Sequence, residues 1–116
     1  MRRVKGDFEN LKSRMGSIRD QARGLATGLK KEGLSSPAGK MELVLRRMES
    51  ICGICVNLGN TAPGLDEANL RKISAEWQIC CRLARNTTGV GPLGSTHQRL
   101  VEGITETDQF FQNLMA

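Results

Sequence analysis

Tyrosine is missing from this 116-residue chain, tryptophan occurs once and phenylalanine three times. A β-sandwich or barrel of this size draws on alternating aromatic and β-branched residues. Such a fold is therefore not expected, and the core must come from Leu, Ile, Val, Met, Ala and Cys. No apolar run approaches the roughly 18 residues of a membrane span. No Walker loop, G-x-G-x-x-G, EF-hand loop or Ser-His-Asp order is present. Histidine occurs once, at His97. The i,i+4 pair Glu102 and Glu106 reads as a solvated helix face, not as the converging carboxylates of acid–base catalysis. An enzyme is not expected, and no cofactor is implied.

No apolar h-region follows Met1-Arg2-Arg3, so no signal peptide is expected. A reducing compartment, cytoplasmic or nuclear, follows as an expectation, with the four cysteines as free thiols. The sequon Asn86-Thr87-Thr88 carries no weight without secretion.

What the chain does have is helical periodicity. Val4, Phe8, Leu11, Met15, Ile18, Ala22, Leu25 and Leu29 follow one another in alternating steps of four and three. This is a heptad seam, and it predicts a helix over about 4–31. Gly16, Gly24 and Gly28 fall off the seam. Each costs a helix about 1 kcal/mol relative to Ala, so this helix needs contacts to form.

Ser36-Pro37 reads as an N-cap followed by proline at the first helical position, predicting a second helix over about 37–58. Its inner face is expected to hold Met41, Leu45, Met48, Cys52, Cys55 and Val56. Gly59 to Gly64 reads as a turn. A third helix over about 66–86 has acids at its start and Arg82 and Arg85 near its end, as the helix dipole favours. Leu70, Ile73, Trp77, Cys80, Cys81 and Ala84 form its inner face. Thr87 to Gly94 reads as a loop. Ser95 or Thr96 then caps a fourth helix over about 95–115, with Leu100, Val101, Ile104, Phe111, Leu114 and Met115 inward.

Four helices of similar length joined by short loops make one all-α domain over 1–116, an up-down four-helix bundle. The alternative keeps the last three helices as a body and projects the first as a coiled-coil arm. That layout resembles compact helical accessory proteins of viruses, or the coiled-coil-plus-body parts of viral phosphoproteins. The resemblance is one of architecture, without a shared motif.

Cys52-Gly53-Ile54-Cys55, the adjacent Cys80-Cys81 and His97 could together supply the ligands of a tetrahedral zinc site. Structural zinc sites usually take C-x-x-C from a turn, whereas this one lies within an apolar helical run. The main reading of these thiols is therefore core packing, with no metal.

The charge is uneven. Residues 1–31 carry nine Lys or Arg against three acids, a net +6, while the other 85 residues sum to −1. Arg2, Arg3, Lys5, Lys12, Arg14, Arg19, Arg23, Lys30 and Lys31 thus form a candidate surface for nucleic acid or an acidic partner. With so few aromatics, nucleic acid would be held by its backbone, RNA or DNA, with weak sequence selectivity. The chain is expected to be a non-enzymatic, self-associating binding module of this kind. The alternative is an adaptor whose apolar seam (Phe8, Leu11, Met15, Ile18, Leu25 and Leu29) docks on a partner helix.

Overall fold

In the computed structural model residues 4–61 and 67–115 are described, with side chains defined for residues 9–55, 68 and 70–114. The heptad segment forms helix α1, Val4–Lys31, followed by α2, Ser35–Thr61, α3, Glu67–Arg85, and α4, Gly94–Met115. Each helix packs on two neighbours in a closed ring, α1 on α2 and α4, and α3 on α2 and α4. Lys30 meets Glu42 and Arg23 meets Glu49, so α2 runs antiparallel to α1. Ser74 meets Gln112 and Gln78 meets Asp108 while Ala84 meets His97, so α4 runs antiparallel to α3. The architecture is an all-α, up-down four-helix bundle with extents of 47 × 23 × 18 Å. No helix among the described residues is long and apolar enough to cross a membrane.

The α1 seam faces inward. Leu11, Met15, Ile18, Ala22, Leu25 and Leu29 are all buried, and Ala26 joins them. Phe8 and Val4 lie outside the described side chains. The projecting-arm alternative is overturned, because α1 is covered by α2 on one flank and α4 on the other. A solitary α1 would leave these aliphatic side chains in water, at about 1.5–3 kcal/mol for each large one.

One residue makes the first corner. Gly33, at φ 73°, lets the chain leave α1 in the left-handed region. The Gly33 and Leu34 amides donate back to the carbonyls of Lys30 and Leu29. The Leu34 carbonyl then accepts from the Ala38 amide at 3.0 Å. Leu34 therefore closes α1 and caps α2. The expected Ser36 cap with Pro37 at the first helical position is corrected: α2 begins at Ser35, and Pro37 is its third residue. Proline is tolerated there because first-turn amides have no partner within the helix.

The inner face of α2 also differs from the expected one. Ala38, Met41, Val44, Met48, Ile51 and Cys55 are buried, while Leu45 and Cys52 are only half-buried. The helix is turned so that the line through Val44 and Ile51 points inward, and Val56 lies outside the described side chains. On α3 all six expected residues are buried. On α4 Leu100, Ile104 and Phe111 are buried, Val101 and Leu114 pack at the margin, and Met115 lies outside the described side chains. No serine or threonine cap starts α4. A single 3-10 turn, Gly91–Leu93, runs straight into it, with Gly94 already helical at φ −56° and ψ −43°.

Trp77 ties the second hairpin together. Its ring is fully buried, tilted against Phe111 at 6.4 Å, and its Nε1–H donates to the Ile104 carbonyl at 3.1 Å. Across the ring of helices, α1 and α4 approach closely at Gly103. A Cβ there would collide with the Ile18 Cδ1 atom, whereas one at Gly24 would meet nothing within 4 Å.

These two glycines should respond in opposite ways. Gly24→Ala should raise the unfolding free energy by about 1 kcal/mol, through helix propensity alone. Gly103→Val should lower it by about 1–3 kcal/mol, through overpacking against Ile18. Denaturant melts of both variants test this, and a shift in the same direction for both would contradict the packing described.

Candidate nucleic-acid interface

The bundle sorts the cations of α1 onto different flanks. Lys12, Arg19, Arg23 and Lys30 recur at steps of seven, four and seven, so they share one side of the helix. That side faces α2, since Arg23 pairs with Glu49 at 3.3 Å and Lys30 with Glu42 at 2.7 Å. Arg14 lies on the opposite flank, its guanidinium carbon 5.0 Å from the centre of the Phe110 ring on α4. Lys31 is exposed at the helix end. Arg2 and Arg3 lie outside the described residues, as does the side chain of Lys5. The nine expected residues thus do not form one surface. Four gather at the α1–α2 edge, and Arg14 belongs to the α1–α4 edge.

The α1–α2 edge contains residues that sequence reasoning missed. A groove of about 330 Å³ is lined by Arg23, Thr27, Lys30, Glu42, Arg46 and Glu49, with Ala26 and Leu45 as its apolar floor. Arg46 adds a cation from α2. Lys30 holds the Glu42 carboxyl below its usual range by a hydrogen bond and by its charge, with a smaller pull from Arg46. The signal for this groove was present in the sequence as complementary spacing. An antiparallel hairpin that turns at residues 32–34 sets Lys30 against Glu42 and Arg23 against Glu49.

Further ion pairs join Lys12 to Glu9, and Arg19 and Arg23 to Asp20. Lys12 and Arg19 are half-buried and the other members exposed, and pairs in such contact with water contribute about 0–1 kcal/mol each. They fix little and can be exchanged. In sequence, the α1–α2 hairpin over residues 4–61 carries ten basic and six acidic groups, a net +4. The α3–α4 hairpin over residues 67–115 carries five of each, a net of zero. The positive excess therefore sits on one half of the bundle.

The apolar seam is not available as a docking surface. Leu11, Met15, Leu25 and Leu29 are fully buried and Ile18 is 6% exposed. A partner helix could reach these five only by displacing α2 or α4, and the sixth seam residue, Phe8, lies outside the described side chains.

The zinc alternative fails on geometry. Among the described residues no group of three or more His, Cys, Asp or Glu is placed to hold a metal ion. Cys55, Cys80 and Cys81 are buried and Cys52 is half-buried, all as free thiols. The His97 Nε2–H donates to the Ala84 carbonyl at 2.6 Å, and the Thr87 hydroxyl donates to the Leu83 carbonyl at 2.9 Å. A carbonyl only accepts, so Nε2 carries a proton. Both side chains satisfy the C-terminal carbonyls of α3, which have no partner within the helix. Burial pushes the thiols of Cys55 and Cys80 up to about 12. Burial also raises Cys52, against the pull of the nearby Arg19.

No protein-family model matches the chain, and neither a curated protein nor a solved structure is significantly similar to it.

The thiols supply a direct test of the core. From an ordinary value of 9.0 to about 12, Cys55 and Cys80 lose about a thousandfold in thiolate at pH 8. Iodoacetamide at that pH should label Cys52 first, and label Cys55 and Cys80 only after denaturation. Mass-resolved labelling reads this, and equal native rates at all three would refute the burial. The unfolded chain ionises these thiols near 9 and the folded chain only near 12. Stability should therefore be intact below about pH 9 and fall as pH rises through that window.

Proposed function

We propose that the protein is a non-enzymatic binding module whose α1–α2 face holds the backbone of a nucleic acid. The observation that carries this reading is the division of charge: the whole positive excess of the described helices belongs to the α1–α2 hairpin. Four cations of α1 share one side of the helix, and two of them, Arg23 and Lys30, line the groove together with Arg46 of α2. Phosphate chemistry suits such a surface. Each neutralised phosphate releases a counterion, and affinity comes from their number rather than from a shaped pocket.

Among the described side chains this face offers no aromatic for stacking. Trp77 and Phe111 are buried, and Phe110 lies under Arg14 at the other edge of α1. Single-strand readers rely on aromatic platforms, so a duplex, RNA or DNA, fits this surface better. Contacts to phosphates carry no sequence information, and selectivity among sequences is accordingly weak. Binding rather than catalysis is supported by the state of the reactive groups. The thiols of Cys55 and Cys80 are held protonated, and His97 is spent on a helix end.

Labelled duplexes of RNA and of DNA, titrated at 50 and 200 mM salt, test this reading. Four phosphate contacts predict a slope of about −3.6 in log affinity against log salt, roughly a hundredfold loss over that range. Arg19→Glu with Arg23→Glu should weaken binding at least about tenfold and flatten the slope, with the fold retained because both are exposed or half-exposed. Polyglutamate serves as the comparison polyanion. Equal binding of polyglutamate and duplex would redirect the reading to an acidic protein partner, and absence of duplex binding at 50 mM salt would end it.

A further inference from the structure

We propose that Glu42 and Glu49 are built-in competitors for the cations of the α1–α2 groove, so that a nucleic-acid backbone binds there only by displacing two carboxylates. This rests on the reading of the α1–α2 face as a phosphate-binding surface, and adds how that surface is restrained.

The two acids stand where phosphate oxygens would stand. Glu42 Oε1 lies 2.7 Å from Lys30 Nζ, and Glu49 Oε2 lies 3.3 Å from Arg23 Nη2. Both acids come from α2 and both cations from α1, so closing the hairpin delivers each carboxylate to its cation. Tethering gives these carboxylates a high effective concentration at the cations, which an incoming phosphate must outcompete. The barrier is nevertheless low. Arg23 is 52% and Glu49 47% exposed in their side chains, and Lys30 is 68% exposed. Pairs in such contact with water break at little cost. Arg23 divides itself further, since Asp20 also lies 3.3 Å from its Nη1. The groove is thus closed by weak, replaceable contacts. A single phosphate gains little there against two tethered acids, whereas a polymer that contacts Lys12, Arg19, Arg23, Lys30 and Arg46 together gains from all of them.

The consequence is a surface that ignores isolated anions and responds to polyanions. The two glutamates set how long, or how densely charged, a polyanion must be. Removing their charge while keeping their shape should release that restraint.

The experiment compares two double variants of equal net charge. Glu42→Gln with Glu49→Gln removes the competitors. Glu102→Gln with Glu106→Gln removes two exposed acids from α4, away from the groove. Duplex binding is measured for both and for the unaltered protein at 150 mM salt, where charges beyond about 8 Å are screened. The first variant should bind about 2- to 30-fold tighter, the release of two solvent-contacting ion pairs. The second should gain clearly less. Equal gains would show that only net charge matters, and would overturn the competitor role while leaving the surface reading intact. No gain in the first variant would overturn it likewise. If the unaltered protein and both variants fail to bind duplex even at 50 mM salt, the surface reading itself falls and this inference with it.

Discussion

Burial of the α1 seam between α2 and α4 governs the rest of the structure. A 28-residue helix interrupted by glycines has little reason to form alone, and its aliphatic line must be covered on both sides. Coverage by α2 needs a tight reversal, which Gly33 and Leu34 supply by ending one helix and opening the next with the same residue. Coverage by α4 needs close approach, which the missing side chain of Gly103 permits at Ile18. Helix α3 then completes the ring, with Trp77 filling the space between it and α4 and donating its indole proton to a backbone carbonyl. Among the described residues no buried side-chain nitrogen or oxygen is left without a partner. The core is thus closed in polar as well as apolar terms.

The same closure decides what the surface can do. Once the seam is inside, the cations flanking it are pushed to two different edges. Those on the α2 side meet acids, and Arg14 on the α4 side meets an aromatic ring. A basic helix read in isolation looks like a continuous band of positive charge. Folded, it is a row of cations partly answered by carboxylates from the next helix. The net excess survives on this half of the bundle, but its availability is set by competition, not by exposure alone.

Much of this was legible in the sequence. The heptad in α1 and the inner face of α3 are strong periodic patterns, and both lie where periodicity puts them. The inner face of α2 was harder to read. Cys55 lies on the buried face, but counting Cys52 and Leu45 with it rotates the inferred face away from Val44 and Ile51. The α2 start was misplaced for a different reason. Ser36-Pro37 is a good local cap, but the closing motif of α1 had already committed the Leu34 carbonyl, and tertiary geometry overrode local preference. Of the candidate surface, the charge excess could be read from composition. Its division between two edges could not, because that depends on which helices flank α1. The pairing of Lys30 with Glu42 and Arg23 with Glu49 follows from the register of the hairpin and needed its turn to be located.

The residues that looked most chemical turn out to be the most structural, and the reason is general. Thiols and imidazole are small, moderately polar groups that suit helix interiors and helix ends. A C-x-x-C on a helix places its two sulfurs within one turn, here Cys55 buried in the core and Cys52 half-buried at its margin. Burial then raises Cys55 and Cys80 until they behave as hydrophobes at neutral pH. His97 enters the space beside the end of α3 and donates to the Ala84 carbonyl, which also accepts from the Thr87 amide. Spacing alone cannot separate a metal ligand from a packing residue, because both need side chains to converge. What separates them is whether the converging atoms are already satisfied by the fold. Here an imidazole proton is donated to Ala84, Cys55 and Cys80 are buried in the core, and Cys81 meets the Thr105 hydroxyl. That leaves the charged α1–α2 edge, with its weakly held and exchangeable pairs, as the surface where a ligand would change the balance of interactions most.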